Sequence, residues 1–286
     1  MGELGSDTAV ALVEPGLYRG RLQRAWEIWG PNGGYIASVA LRAAAEHAEL
    51  LRPASFSCQY LAVGAFDDVD ARVVTTRRTK RAEAVTVELH QGERLLLTAQ
   101  AWFIDDNHEG LEHDFARMPD VAHWSELPTV SDHLDRMGVA EEERQRGFTF
   151  WGNFEERPTV WHDNWEDRPA GDPVFTNWVR YNPTPDTKDV AVDAARLIVL
   201  ADTVSWPSAT RAYSGPLPWM APSLDLNVQF HRFEPEAEWL LMAGRADVST
   251  QGLFAFRGEV WSENRTLLAS SSGQCFYRAL DPAQVR

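Results

Sequence analysis

Only two cysteines, Cys58 and Cys275, stand in 286 residues, and they lie far apart in apolar, strand-like stretches. A disulfide framework is disfavoured, and the pattern suits buried thiols in a reducing compartment. Basic residues are scarce too, 27 against 42 acidic, for a net charge of −15. Such a surface repels phosphate backbones and anionic lipid, so neither nucleic acid nor a membrane surface is the expected partner. No apolar run approaches the ~20 residues of a membrane span. The opening MGELGSDTAV lacks a basic region followed by an apolar core. The expectation is a cytoplasmic protein. Neither a GxxxxGK(S/T) phosphate loop nor a GxSxG nucleophile elbow occurs.

What is present is ordinary in bulk, 44% hydrophobic and 24% charged, and the chain is long enough for one large domain or two modest ones. The stretch IWGPNGGYIASVALRAAAEHAELL places Ile36, Val39, Ala40 and Ala43 on one helical face, with Pro53 beyond its end. Gly33 and Gly34 open that helix. Strand-like runs follow at 54–63, 68–76 and 84–90, and a turn at Gln91-Gly92-Glu93 leads into a further run at 95–104. In AVTVELH, Val85, Val87 and Leu89 share one face while Thr86 and Glu88 share the other, the alternation of a half-buried strand. Residues 105–173 are acidic and rich in His, Trp and Pro, and read as a long connection anchored by aromatics.

The opening pattern then returns. DVAVDAARLIVLADTVSWPSATR predicts a second, more apolar helix from about Asp189 to before Pro207, followed by strands near 224–230, 239–246, 254–261 and 267–277. A helix this apolar must be covered almost all round. An antiparallel sheet curling about each helix would do so, and two such units side by side could join their strand edges.

Helix wrapped by antiparallel sheet, twice over, resembles the double-hotdog acyl-CoA thioesterases of the bacterial thioesterase II type. GPNGGYIASVAL is similar to that family's entry to its first central helix, and RRTKRAEAVTVELHQGERLLLTAQAWF to its basic turn and final hairpin. LADTVSWPSATR resembles the helix carrying the family's catalytic aspartate, and SLDLNVQFHR the strand opened by its catalytic hydroxyl. The resemblance implies an α+β tandem hotdog with two antiparallel sheets, each wrapped around a central helix. Its repeats would span residues 1–110 and 174–286, joined by a connection at 111–173. It also implies hydrolysis of acyl-CoA without metal or other cofactor, and a homodimer or tetramer.

Carried over by residue, the resemblance implies Asp202 as base, Ser223 in place of threonine, and Gln274 as third member. Gln274 comes one residue later than the family's spacing from Ala269 would put it. A bulge at Gly273 would re-aim its side chain into the site; without one it points to the other face. Gly33 and Gly34 would present first-turn amides to the thioester carbonyl, or else simply permit tight packing. Arg78 and Arg81, in a basic turn with Arg77 and Lys80, would face coenzyme A phosphates, or form a solvated hairpin. His162, Asp163 and Asp167 match no zinc spacing. A hydratase would need a histidine five residues after an aspartate, and none of the eight histidines is so placed. The tryptophans suit core and anchoring positions, and several in the connection could line an acyl tunnel. The alternative function is a non-catalytic acyl-CoA or lipid-binding protein.

Overall fold

The computed structural model describes residues 1–106, 109–144 and 147–280. The first part of the chain runs α1 (Leu4–Asp7), β1 (Ala11–Glu14), β2 (Leu17–Arg21), α2 (Gly33–His47), β3 (Arg52–Tyr60), β4 (Asp68–Arg78), β5 (Ala82–Gln91) and β6 (Arg94–Ile104). The connection carries α3 (Val130–Met137), α4 (Glu141–Arg144) and β7 (Phe154–Pro158). The last part runs β8 (Val174–Tyr181), α5 (Val190–Thr203), α6 (Ser205–Thr210), β9 (Trp219–Met220), β10 (Asp225–Phe230), β11 (Leu240–Thr250), β12 (Leu253–Ser262), β13 (Leu267–Phe276) and β14 (Arg278–Ala279).

The expectation of two sheets is corrected. A single twelve-stranded antiparallel sheet runs β1-β2-β4-β5-β6-β3-β10-β13-β12-β11-β8-β7. Its halves are joined where β3 pairs with β10, from Asp225 opposite Gln59 to Gln229 opposite Ser55. Left apart, those two strands would each expose a row of unpaired amides and carbonyls; paired, they satisfy one another.

Both central helices lie buried against one face of this sheet. Asn32 caps α2 by accepting the Tyr35 amide at 2.9 Å, and Asp189 caps α5 by accepting the Ala191 amide at 2.9 Å. Every residue of α2 from Gly34 to Ala44 is buried, as is every residue of α5 from Val192 to Thr203. The helices run in opposite directions, for Gly34, Ser38 and Arg42 meet Val199, Ala195 and Asp189 in turn. Gly34 lies so close to α5 that a Cβ there would stand 2.8 Å from the Val199 Cα. The start of α2 is thereby fixed beside the end of α5.

Helix α5 ends at Thr203, before Pro207 as the sequence suggests, and Pro207 belongs to the further helix α6. It falls in the first turn of α6, where a missing amide hydrogen costs no helical bond. The connection also contributes more than anchoring: β7 extends the sheet by pairing with β8. Trp124 stacks on Trp239 at 4.9 Å and covers a second apolar cluster around Trp178 and Trp261.

Candidate active site

Asp202 lies in the last turn of α5 with 5% of its surface exposed. Its Oδ2 accepts the Gly34 amide at 2.8 Å, and its Oδ1 accepts the Ser223 hydroxyl at 3.0 Å. Ser223 stands just before β10 and bridges to Cys275 of β13. The sheet junction and the helix pair therefore meet at one carboxylate. Burial pushes Asp202 up to about 6, and the two hydrogen bonds, which favour the charged form, keep it from rising further. Near neutral pH the buried carboxyl is therefore largely ionised.

Gly33 and Gly34 do different jobs here. A Cβ on Gly33 would meet the Asp202 Oδ2 at 2.9 Å and the Tyr60 ring at 3.3 Å, both movable side chains. A Cβ on Gly34 would meet backbone of α5. The amide expected to face a carbonyl, that of Gly34, instead holds the carboxylate.

Tyr60 was not singled out from the sequence. Its hydroxyl is buried and lacks a hydrogen-bond partner; the Cys58 thiol lies beside it without hydrogen-bond geometry. Burial, with Asp202 nearby, pushes its pKa well up, so the group remains a donor. The signal was available in the alternation of β3, where Phe56 and Cys58 are buried and Tyr60 follows on the same face. Cys275 belongs to the same neighbourhood, its thiol donating to the Ser223 oxygen at 3.7 Å and pushed up to about 12 by burial.

Gln274 is not brought to Asp202. Pairing of β12 with β13 continues unbroken from Ala269 to Phe276, so Gly273 carries no bulge. Ser271, whose hydroxyl donates to the Ala201 carbonyl at 3.2 Å, faces the helices together with buried Cys275. Gln274 alternates with them and opposes exposed Ala255. At the helix-facing position stands Gly273, where a Cβ would meet the Phe256 ring at 2.7 Å.

Arg78 has another occupation. It donates to Glu83, fully buried, at 2.6 Å, and pairs also with Glu49. Burial alone would raise Glu83, but Arg78 and the amides of Glu49 and Leu50 hold it below the usual carboxylate range. These contacts gather at the C-terminal end of α2, about 20 Å along the helix from Gly33. Arg81 is exposed in the same turn. Arg78 thus serves the buried Glu83 at the end of α2 opposite Asp202.

Residues 22–104 match the N-terminal domain of acyl-CoA thioesterases, and residues 116–277 match their C-terminal domain. The chain belongs to the acyl-CoA thioesterase family. As a member it is a thioester hydrolase.

Solved structures agree on the fold. An acyl-CoA thioesterase II, TesB2, from Mycobacterium marinum superposes with a TM-score of 0.76 at 21% identity, covering 96% of this chain and 98% of that one. A tesB protein of Mycobacterium avium subs paratuberculosis gives 0.74 at 18%, covering 96% and 98%. A hot dog fold protein of unknown function from Alicyclobacillus acidocaldarius gives 0.74 at 22%, covering 97% and 98%. No curated protein matches the chain in sequence. Among the described residues no helix of this thioesterase is long and apolar enough to cross a membrane. Among the same residues no group of three or more His, Cys, Asp or Glu side chains could hold a metal ion.

Proposed function

We propose that the thioesterase hydrolyses acyl-CoA by general-base attack of water, with Asp202 as the base. Asp202 takes a proton from a water that Ser223 helps to orient, and the water oxygen bonds to the thioester carbon. The carbon–sulfur bond then breaks, and the proton held by Asp202 passes to the departing thiolate, so that acid and free coenzyme A result. In this reading the Tyr60 hydroxyl donates to the carbonyl oxygen as negative charge gathers there, a contribution commonly worth ~3 kcal/mol per donor. The Gly34 amide keeps the carboxylate aimed.

The observation that carries the reading is the buried carboxylate of Asp202, bonded at once to the first helix and to Ser223. No step is given to Gln274, Arg78 or Arg81. Release of free thiol from a panel of acyl-CoAs tests it: Asp202→Asn, folded as judged by circular dichroism, should lose at least about a hundredfold in kcat. Tight acyl-CoA binding by the unmodified protein, with no thiol released, would instead support the non-catalytic binding reading.

A further inference from the structure

Beside the junction of α5 and α6 lies a groove of about 810 Å³, within the range of small-molecule sites. Trp29 lines it four residues before Gly33, and Trp206 lines it four residues after Asp202. The two segments that carry the site therefore also supply walls of the groove. Trp151, Trp161 and Trp165 of the connection and Trp219 of β9 complete an indole lining. Phe148 meets Trp29 edge-on at 5.3 Å, and Tyr277 meets Trp206 at 6.2 Å, so these faces are braced.

Six polar or charged side chains interrupt that lining, Glu156, Arg168, Thr176, Asn177, Thr210 and Arg211, and two of them are bonded to one another. Glu156 of β7 and Asn177 of β8 both border the groove, and the Asn177 Nδ2 donates to the Glu156 Oε2 at 2.8 Å. Asn177 is 3% exposed, and its Oδ1 is buried without a partner. Burial pushes Glu156 up to about 7, with the Asn177 bond opposing that rise, so its carboxyl is not committed to full charge at neutral pH. A buried acceptor left unpaired is unfavourable, and a saturated alkyl chain has no donor to offer it. Flat indole faces match a flat ring, by stacking or edge contact.

We propose that this groove receives the acyl group, and that the acyl group it selects is an aromatic ring bearing a hydroxyl or amino donor, bound by Glu156 and Asn177. The assignment rests on the hydrolytic reading above and extends it to the acyl moiety. Asp202 acts on the carbonyl while the groove reads the ring.

The test compares kcat/KM for para-hydroxyphenylpropanoyl-CoA, phenylpropanoyl-CoA and straight-chain nonanoyl-CoA, three acyl groups of equal carbon count. The hydroxylated ring should be preferred over both others by at least about tenfold, a site built for a hydroxyl rejecting the analogue without one. In Glu156→Gln that preference should collapse. Equal or faster hydrolysis of the straight chain, or a preference that survives in Glu156→Gln, would overturn the assignment. Binding of neutral para-ethylphenol and ethylbenzene to the unmodified protein, followed by tryptophan fluorescence, separates this from the mechanism. If no CoA ester is hydrolysed, the hydrolytic reading falls, yet tighter binding of the phenol would still support the groove's selectivity. Phenol bound no more tightly than ethylbenzene would remove it.

Discussion

The amide of Gly34 donates to the Oδ2 of Asp202 at 2.8 Å across 168 positions of sequence. One bond thus links the first turn of α2 to the last turn of α5, and it can form only where the helices almost touch. The helix dipole disfavours a carboxylate at that end of α5. Its two donors, Gly34 and Ser223, are what keep the charge tolerable.

Asp202 should cost the fold stability in the pH range where it is ionised. A carboxyl raised from 3.8 to about 6 favours folding through its neutral form, fully so below pH 3.8, and that contribution is lost as pH rises through about 6. Asp202→Asn should therefore be more stable than the parent above this window, by up to roughly 3 kcal/mol, and the gain should vanish toward pH 4. Urea midpoints on either side of the window measure it. Activity should run the other way, rising as pH increases through about 6.

Ser223→Ala should shift that profile. The Ser223 hydrogen bond lowers Asp202, so without it the acid limb of kcat/KM should move upward by roughly one pH unit. Ser223→Thr should keep the limb in place. An unmoved limb in the alanine variant would show that the hydroxyl does not govern the base.

The adjacent glycines should separate function from stability. Gly34→Ala sets a Cβ 2.8 Å from the Val199 Cα and should weaken the fold by about 2 kcal/mol or more by driving the helices apart. Gly33→Ala meets only the side chains of Asp202 and Tyr60. It should leave the unfolding midpoint nearly unchanged while lowering kcat by at least about tenfold, through displacement of the carboxylate that the proposed mechanism uses.

Gln274→Ala should change kcat/KM by less than about threefold, because its side chain lies on the face away from Asp202. A loss of about a hundredfold would place it back in the mechanism.

Arg78→Ala should lower the unfolding midpoint and leave KM for acyl-CoA unchanged, since its guanidinium holds buried Glu83 and Glu49. A raised KM with unchanged stability would restore the phosphate-binding expectation for this turn.

Much of the local structure is legible in the chain. Strand β5 covers Ala82–Gln91 and contains the alternating run AVTVELH; α5 begins after Asp189 as its capping chemistry requires. The short strands β1, β2 and β7 were not legible, because each is an edge or near-edge strand whose pairing partner, not its own pattern, makes it a strand. Gln274 illustrates the same limit at the site. Its identity fits a catalytic role, but side-chain direction depends on whether one residue bulges, and that is settled by the register against β12.

Sequence by itself determined the order of helix and meander, the apolar faces, and the presence of an aspartate in an unusually apolar helix, because these follow from hydrophobic period and capping within a few residues. Only the tertiary structure decided that β3 and β10 fuse two sheets into one, that the Gly34 amide serves the carboxylate, and that Tyr60 stands beside Asp202 with an unused hydroxyl. Those outcomes depend on separations of a few ångströms between segments distant in sequence, and close packing of the whole core sets such distances.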